Sequence, residues 1–152
     1  MELNTVIDKT CICLHMKESN KQEAILQLSQ TLFANGYLSN IEEFMKDVFM
    51  REEEGMTGIG DYIAIPHGKS KGVKKDKIAI GILNEPIQWE SIDDLPVKII
   101  ILFAVNANDT QANTSHLAMM ATVAKSLAHD DVKARLYQAT TLEEVIKAFS
   151  NN

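Results

Sequence analysis

The feature that most constrains the fold is an almost continuous apolar run from Val97 to Val105, entered through Pro96. A strand covered on one face alternates apolar and polar residues, whereas an unbroken apolar strand is typical of a sheet covered on both faces. The longest purely apolar part, Ile99–Val105, is far shorter than the roughly 20 residues of a membrane-spanning helix. The run therefore predicts a buried strand, a helical layer on each side of it, and no direct membrane insertion.

The rest of the chain supplies those layers. Short strands are predicted at Thr10–Leu14, Tyr62–Ile65 and Lys77–Leu83. Apolar residues at helical spacing and capping patterns predict five helices: one capped by Ser19 with Gln22 and stopped at Gly36, one capped by Ser39 with Glu42, and three near Thr114–Ala128, Asp130–Ala139 and Thr141–Phe149. No linker rich in Pro, Gly or Ser interrupts them, so residues 1–152 are predicted to form a single α/β domain, with helices on both faces of the sheet.

The net charge of −6 argues against binding to nucleic acid or anionic lipid, because both require a basic surface. It leaves room for a basic protein partner. Several acidic side chains are close together in sequence: Glu42, Glu43, Asp47, Glu52, Glu53 and Glu54. They are interpreted either as a solvated helix face followed by a polar turn, or as an electrostatic dock for a positively charged partner.

The two cysteines, Cys11 and Cys13, form a C-x-C pair. In an extended segment both side chains point to one face, where a disulfide between them is unfavourable. We expect free, half-buried thiols in a reducing compartment. The N-terminus lacks the basic and apolar regions of a secretory signal, so the expected location is the cytoplasm.

A histidine, His67, lies between Pro66 and Gly68. Proline fixes the approach of the chain and glycine leaves space beside the ring, so the histidine is expected in a turn or at a strand end. Neutral imidazole is a good nucleophile near pH 7, which suits a side chain presented to another molecule. The alternative from local composition is an ordinary histidine of a surface loop.

Two further features resemble parts of an anion site. The glycine-rich segment Thr57–Gly60 is a weak signal, because it matches neither common phosphate-binding glycine pattern. Arg51 is the only arginine before Arg135, and a guanidinium can bind two phosphate oxygens. Arg51 is interpreted equally well as a cation at the negative end of a helix.

A second histidine, His116, follows Thr114 and Ser115 and is predicted in the first turn of the long helix. Helix N-termini favour anions, so this histidine is a candidate hydrogen-bond donor to a phosphoryl oxygen. The alternative is a polar first-turn residue beside the sheet. The histidines and cysteines show none of the spacings typical of zinc sites, so no metal is expected.

The central motif closely resembles the active-site signature of the fructose/mannitol-type enzyme IIA domains of the phosphoenolpyruvate-dependent sugar phosphotransferase system (PTS). The resemblance is carried by Arg51-Glu52, Thr57-Gly58-Ile59-Gly60 and Ala64-Ile65-Pro66-His67. It extends to the first helix and its exit, and to the second histidine motif: Lys21–Ile25, Gly36–Leu38, and His116-Leu117 with Ala124.

The resemblance implies a mixed sheet flanked by helices and a phosphotransferase without cofactors. The phosphocarrier HPr would phosphorylate His67, with Nε2 as the implied atom, and a IIB component would accept the group for sugar uptake. A fructose-like sugar is weakly preferred. His116 would donate a hydrogen bond to the phosphoryl group and Arg51 would stabilise its charge. The remaining residues implied to line the site are Thr57, Gly58, Gly60 and Pro66.

One residue departs from the family pattern, which usually has glycine at the position of Tyr62. Tyrosine does not freely adopt positive φ, so the local backbone or the partner-facing rim is expected to differ. This bears on partner or sugar specificity more than on chemistry. Two alternatives stay open: a regulatory, nitrogen-type IIA that signals by its phosphorylation state, and a non-catalytic module that kept the fold. No triad or carboxylate pair suggests a hydrolase.

Overall fold

The structure is a computed structural model that describes residue 3, residues 6–108 and residues 112–150, without the side chains of residues 112–116 and 150. The elements in chain order are β1 (Ile7–Met16), α1 (Lys21–Ala34), α2 (Ile41–Glu54), β2 (Gly58–Gly60), β3 (Ile63–Ala64), β4 (His67–Ser70), β5 (Lys77–Ile87), β6 (Val97–Asn106), α3 (Ala112–Leu127), α4 (Asp130–Gln138) and α5 (Leu142–Ser150).

The described strands form one mixed sheet in the order β1-β5-β6-β3-β2, with β4 also paired to β6. The pairs β1–β5, β3–β6 and β4–β6 are parallel, whereas β5–β6 and β2–β3 are antiparallel. The short strands β3 and β4 share one edge of β6: β3 pairs with Ile99 and Ile100, and β4 with Phe103–Asn106. The mixed sheet implied by the family resemblance is confirmed.

The predicted burial of the apolar run on both faces is also confirmed. Every residue of Ile99–Val105 is fully buried. The odd-numbered residues belong to a core with α3, α4 and α5, and the even-numbered residues to a core with α1 and α2. Cys11 and Cys13 both lie on the α1–α2 side and are free, and burial raises the pKa of the Cys11 thiol to about 11.

Three predicted helix starts differ from the structure. The N-cap of α1 is Asn20, whose side chain accepts from the backbone N–H of Glu23, while the Ser19 hydroxyl donates to the Glu23 carboxylate. The N-cap of α2 is Asn40, whose side chain accepts from the backbone N–H of Glu43 at 3.0 Å. In α4 the Asp130–Asp131 pair lies in the first turn and His129 is the N-cap, without a side-chain hydrogen bond. Asparagine and serine are about equally favourable at an N-cap, so residue preference alone could not decide between the neighbouring Ser and Asn residues before α1 and α2.

The predicted stop at Gly36 and the Thr141 cap are confirmed. Gly36 has φ of +83°, and the N–H of Tyr37 donates to Leu32 C=O, as in a Schellman motif. The N–H of Glu144 donates to Thr141 Oγ1 at 3.2 Å.

The strands β2 and β4 were not predicted. They are three and four residues long, and the sequences GIG and HGKS carry no apolar alternation. The strand expected at Tyr62–Ile65 shrinks to Ile63–Ala64, because Asp61 and Tyr62 form the turn that leads into it.

Helix α2 lies directly on β4 at Gly68. A Cβ atom added there would come within 2.7 Å of Val48 Cγ2 and 3.0 Å of Phe44 Cε1. Both side chains are fully buried, so neither has room to move away. The glycine after His67 therefore sets the distance between the helix and the strand that carries the imidazole.

We predict that Gly68→Ala destabilises the fold by about 1–3 kcal/mol through overpacking. The measurement is urea unfolding. Gly55→Ala is the matched control, because Gly55 has extended φ and an added Cβ would meet only Arg51 Nη1, at 3.9 Å. The control should change stability by no more than about 0.5 kcal/mol. Equal stability of the two variants would contradict the proposed contact.

Candidate active site

His67 is the first residue of β4, at the strand end expected from its neighbours. It pairs with Phe103 of β6, and the Phe103 N–H donates to Pro66 C=O at 3.0 Å. Its side chain is half-buried. The imidazole is thus held on a strand paired to the most buried strand of the sheet.

The face on which His67 lies follows from its neighbour. Gly68 faces α2, and its register partner Ala104 belongs to the α1–α2 core. His67 is one residue earlier, and its register partner Phe103 packs in the opposite core with Met119 of α3. Alternation along a strand therefore places His67 on the α3 face of the sheet.

The contact of the imidazole with the backbone favours one tautomer. Nδ1 of His67 lies 3.4 Å from Ile65 C=O. A carbonyl oxygen only accepts, so this contact is a hydrogen bond when Nδ1 carries the proton. In that tautomer the lone pair is on Nε2, which is then the nucleophilic nitrogen.

The glycine-rich segment forms β2 and lies beside the histidine segment. Thr57 lies just before β2, and its backbone carbonyl oxygen accepts a hydrogen bond from the Ile65 N–H, with an N···O distance of 2.9 Å. A Cβ atom on Gly58 would come within 2.5 Å of Ser91 Cβ, so only glycine permits this approach to the β5–β6 connection. Gly60 has φ of +91° and leads into the hairpin turn. The structure thus brings Thr57, Pro66 and His67 together around Ile65.

Sequence reasoning missed a buried polar network behind this segment. Lys21 Nζ donates to Glu52 at 3.0 Å and to Glu90 at 2.6 Å, and the side chain of Glu52 is only 5% exposed. Thr57 Oγ1 donates to Glu52 at 2.7 Å and accepts from Trp89 Nε1 at 2.8 Å. The interpretation of Glu52–Glu54 as a polar turn is wrong: α2 continues through Glu54 and Glu52 faces inward. The adjacency of Glu52 to Arg51 in the motif was the available signal.

The charges of this network stabilise one another. Burial disfavours the ammonium of Lys21, but its hydrogen bonds to Glu90 and Glu52 outweigh burial and raise its pKa. The hydrogen bond from Lys21 lowers the pKa of Glu90. Both shifts favour the charged pair at neutral pH.

The sequence profile of the family described as "Phosphoenolpyruvate-dependent sugar phosphotransferase system, EIIA 2" matches residues 5–152. The chain belongs to this family. EIIA domains are phosphoryl carriers, which agrees with a histidine as the candidate nucleophile. In the described part of the chain, no group of three His, Cys, Asp or Glu side chains could bind a metal ion, and no helix is long and apolar enough to cross a membrane.

The chain is similar to EIIA proteins with different roles. It is 36% identical to the 2-O-alpha-mannosyl-D-glycerate-specific EIIABC component of Escherichia coli, over 99% of this chain and 23% of that protein. It is 32% identical to the nitrogen regulatory protein of Klebsiella oxytoca, over 100% of this chain and 94% of that protein. The structure of the nitrogen regulatory protein IIA-Ntr of Neisseria meningitidis superposes with a TM-score of 0.86 at 26% identity, covering 96% and 97% of the two chains. The chain spans less than a quarter of the first curated relatives that it matches, at 23% and 22%.

The contact described for Arg51 is at the end of α2, where Nη1 donates to Gly55 C=O at 3.1 Å. This is the helix-end interpretation of Arg51, since the guanidinium lies at the negative end of the helix dipole. Its expected role in stabilising phosphoryl charge in an EIIA site stays a prediction.

His116 is the fifth residue of α3, because the helix begins at Ala112, two residues before the predicted start. His116 therefore lies one residue past the predicted first turn, at the start of the second. Its side chain lies outside the described residues, and its hydrogen bond to a phosphoryl group stays a prediction.

The residue that departs from the EIIA pattern, Tyr62, has φ of 65°, and the preceding Asp61 has φ of 55°. Two central residues at positive φ are what a tight two-residue hairpin turn requires. Tyrosine in place of the usual glycine thus does not remove the left-handed conformation. What the tyrosine changes is the surface of the turn, where its side chain is 41% exposed.

The surrounding structure holds this turn on both sides. Lys133 Nζ of α4 donates to Asp61 Oδ2 at 2.8 Å, and the Tyr137 hydroxyl donates to Asp61 C=O. The Asp61 N–H donates to Asp93 Oδ2 at 3.0 Å. These contacts offset the backbone strain of Tyr62, which costs about 1–2 kcal/mol for a side chain with a Cβ.

We predict that Tyr62→Gly is more stable than Tyr62→Ala by about 1 kcal/mol, since both lack the ring and only alanine keeps the Cβ strain. At an ordinary φ the order is reversed, because glycine loses more chain entropy on folding. Urea unfolding of the two variants measures the difference. An alanine variant as stable as the glycine variant would contradict a strained turn.

Proposed function

We propose that the chain accepts a phosphoryl group from HPr on Nε2 of His67 and passes it to a IIB component of a sugar phosphotransferase system. The observation that carries the proposal is the contact between His67 Nδ1 and Ile65 C=O, which favours the tautomer with its lone pair on Nε2, in a chain that belongs to the EIIA family. A single EIIA domain in the cytoplasm is sufficient for this role. It needs no cofactor and no nucleic acid.

The proposed step is an in-line transfer. The Nε2 lone pair attacks the phosphorus of the phosphorylated donor, the N–P bond forms, and the bond from phosphorus to the donor breaks. Nδ1 keeps its proton, so the product is a phosphoimidazole whose remaining N–H donates to Ile65 C=O. The transition state of phosphoryl transfer is stabilised by positioning of the reactants and by nearby positive charge and hydrogen-bond donors. His116 and Arg51 are the groups proposed for this role.

The acceptor is proposed to be a IIB component because the relative at 36% identity carries A, B and C components in its name. That relative is specific for 2-O-alpha-mannosyl-D-glycerate. The candidate sugars are therefore a mannosylglycerate and the fructose-like sugar expected from the sequence. Both acceptors therefore enter the test.

A second candidate is regulation by the phosphorylation state. The observation that favours it is the similarity to nitrogen regulatory proteins, at 32% identity in sequence and with a TM-score of 0.86 in structure. Such a protein would accept the phosphoryl group on the same histidine and not pass it to a sugar-specific IIB.

One prediction concerns the residue that accepts the phosphoryl group. Incubation with phosphoenolpyruvate, enzyme I and HPr should add one acid-labile phosphoryl group, measured by intact-mass analysis. His67→Ala should abolish the adduct and His129→Ala, at an exposed histidine, should leave it unchanged. An adduct that survives in the His67 variant, or no adduct while HPr itself is phosphorylated, would overturn the assignment.

A further prediction separates transport from regulation. The phosphorylated chain, freed of enzyme I and HPr, should lose its phosphoryl group to an added IIB domain of the mannosylglycerate or the fructose type. Appearance of phospho-IIB on a Phos-tag gel is the measurement. Retention of the group with both acceptors, each shown to be active with its own IIA, would favour the regulatory candidate.

A further inference from the structure

The network behind the candidate site begins with a buried carboxylate. Glu52 lies in the last turn of α2 within the acidic segment, yet its side chain is 5% exposed and that of Lys21 is 14% exposed. The neighbouring Glu53 is exposed. A buried carboxylate is tolerated only when its oxygens are hydrogen-bonded, and here one oxygen accepts from Lys21 and the other from Thr57.

The hydroxyl of Thr57 has both of its hydrogen-bonding functions assigned. It donates to Glu52 Oε2 at 2.7 Å and accepts from the indole Nε1 of Trp89 at 2.8 Å. The residue is 3% exposed. A buried hydroxyl with a fixed donor and a fixed acceptor keeps one rotamer, so Thr57 is held by side-chain contacts on two sides.

The backbone of Thr57 transfers this constraint toward the imidazole. Its carbonyl accepts the Ile65 N–H at 2.9 Å, and the carbonyl of Ile65 is the partner of His67 Nδ1. The next residue, Pro66, has no N–H and a fixed φ, and its carbonyl is bonded to β6. The direction of the Ile65 carbonyl therefore depends on its attachment to Thr57 on one side and on β6 on the other.

We propose that Glu52 and Thr57 are positioning residues for the phosphoryl acceptor. Their buried hydrogen bond fixes the Thr57–Ile65 pair, which directs the Ile65 carbonyl at Nδ1 of His67 and keeps Nε2 unprotonated. The inference rests on the proposed role of His67, but the geometry of the imidazole can be measured without any phosphoryl transfer.

The test uses the full chain and four variants. Thr57→Val removes the hydroxyl at constant shape, and Thr57→Ser keeps the hydroxyl as the rescue. Glu52→Gln removes the buried charge, and Glu53→Gln makes the same change at the exposed neighbour. The readouts are the tautomer of His67 from ¹⁵N NMR of the unphosphorylated imidazole, the single-turnover rate of phosphoryl transfer from phospho-HPr, and the melting temperature.

The parent chain, Thr57→Ser and Glu53→Gln should show His67 with the proton on Nδ1 and similar transfer rates. Thr57→Val should gain the Nε2–H tautomer and lose at least about tenfold in rate, because a small misplacement of a reacting group has an effect of this size or larger. Glu52→Gln should show the same changes to a smaller extent, and it carries the test if Thr57→Val does not fold.

A purely structural role predicts a different result. The melting temperature would fall in Thr57→Val and Glu52→Gln while the His67 tautomer and the transfer rate stayed within about twofold of the parent values, which overturns the proposal. Absence of any phosphoryl adduct on the parent chain, together with a tautomer change in the variants, would reject the proposed function and retain the positioning role.

Discussion

The structure depends on the burial of β6 on both of its faces. A strand whose residues from Ile99 to Val105 are all inaccessible to solvent needs a helical layer on each side and a paired strand on each edge. One edge is covered by the long strand β5, and the other by the two short strands β3 and β4. The two cores, the parallel and antiparallel pairings and the position of the candidate site all follow from how those requirements are met.

The edge with the two short strands carries the candidate nucleophile, His67. Between β3 and β4 the chain passes through Ile65 and Pro66, and Pro66 has no N–H to offer to a neighbouring strand. The Ile65 N–H donates to Thr57 C=O, and the Ile65 carbonyl lies 3.4 Å from Nδ1 of His67. The Pro66 carbonyl restores the ladder immediately afterwards through Phe103. At this two-residue gap between β3 and β4, the Ile65 carbonyl is an oriented backbone partner of His67.

Sequence patterns predicted those parts of the molecule that local physics determines. The apolar run predicted the central strand, helical spacing predicted α2, and Pro66 with Gly68 predicted a histidine at a strand end. The strands β2 and β4 could not be predicted, because a three-residue GIG segment becomes a strand only through pairing with distant residues. The burial of Glu52 was missed for the same reason, since its partners Lys21 and Thr57 come from two other elements. Apart from its place beside Arg51 in the motif, nothing local distinguished Glu52 from the exposed Glu53.

The groups that orient His67 and the groups that a partner protein would meet are different residues. The orienting groups are buried or belong to the main chain: Glu52, Thr57 and the Ile65 carbonyl. The exposed side chains near the hairpin turn are Tyr62 and Ile92, at 41% and 72% exposure. The turn with Tyr62 is held through Asp61, which is hydrogen-bonded to α4 and to Asp93. Under the proposed function, this arrangement would let the rim differ between partners while the buried contacts keep the orientation of the imidazole.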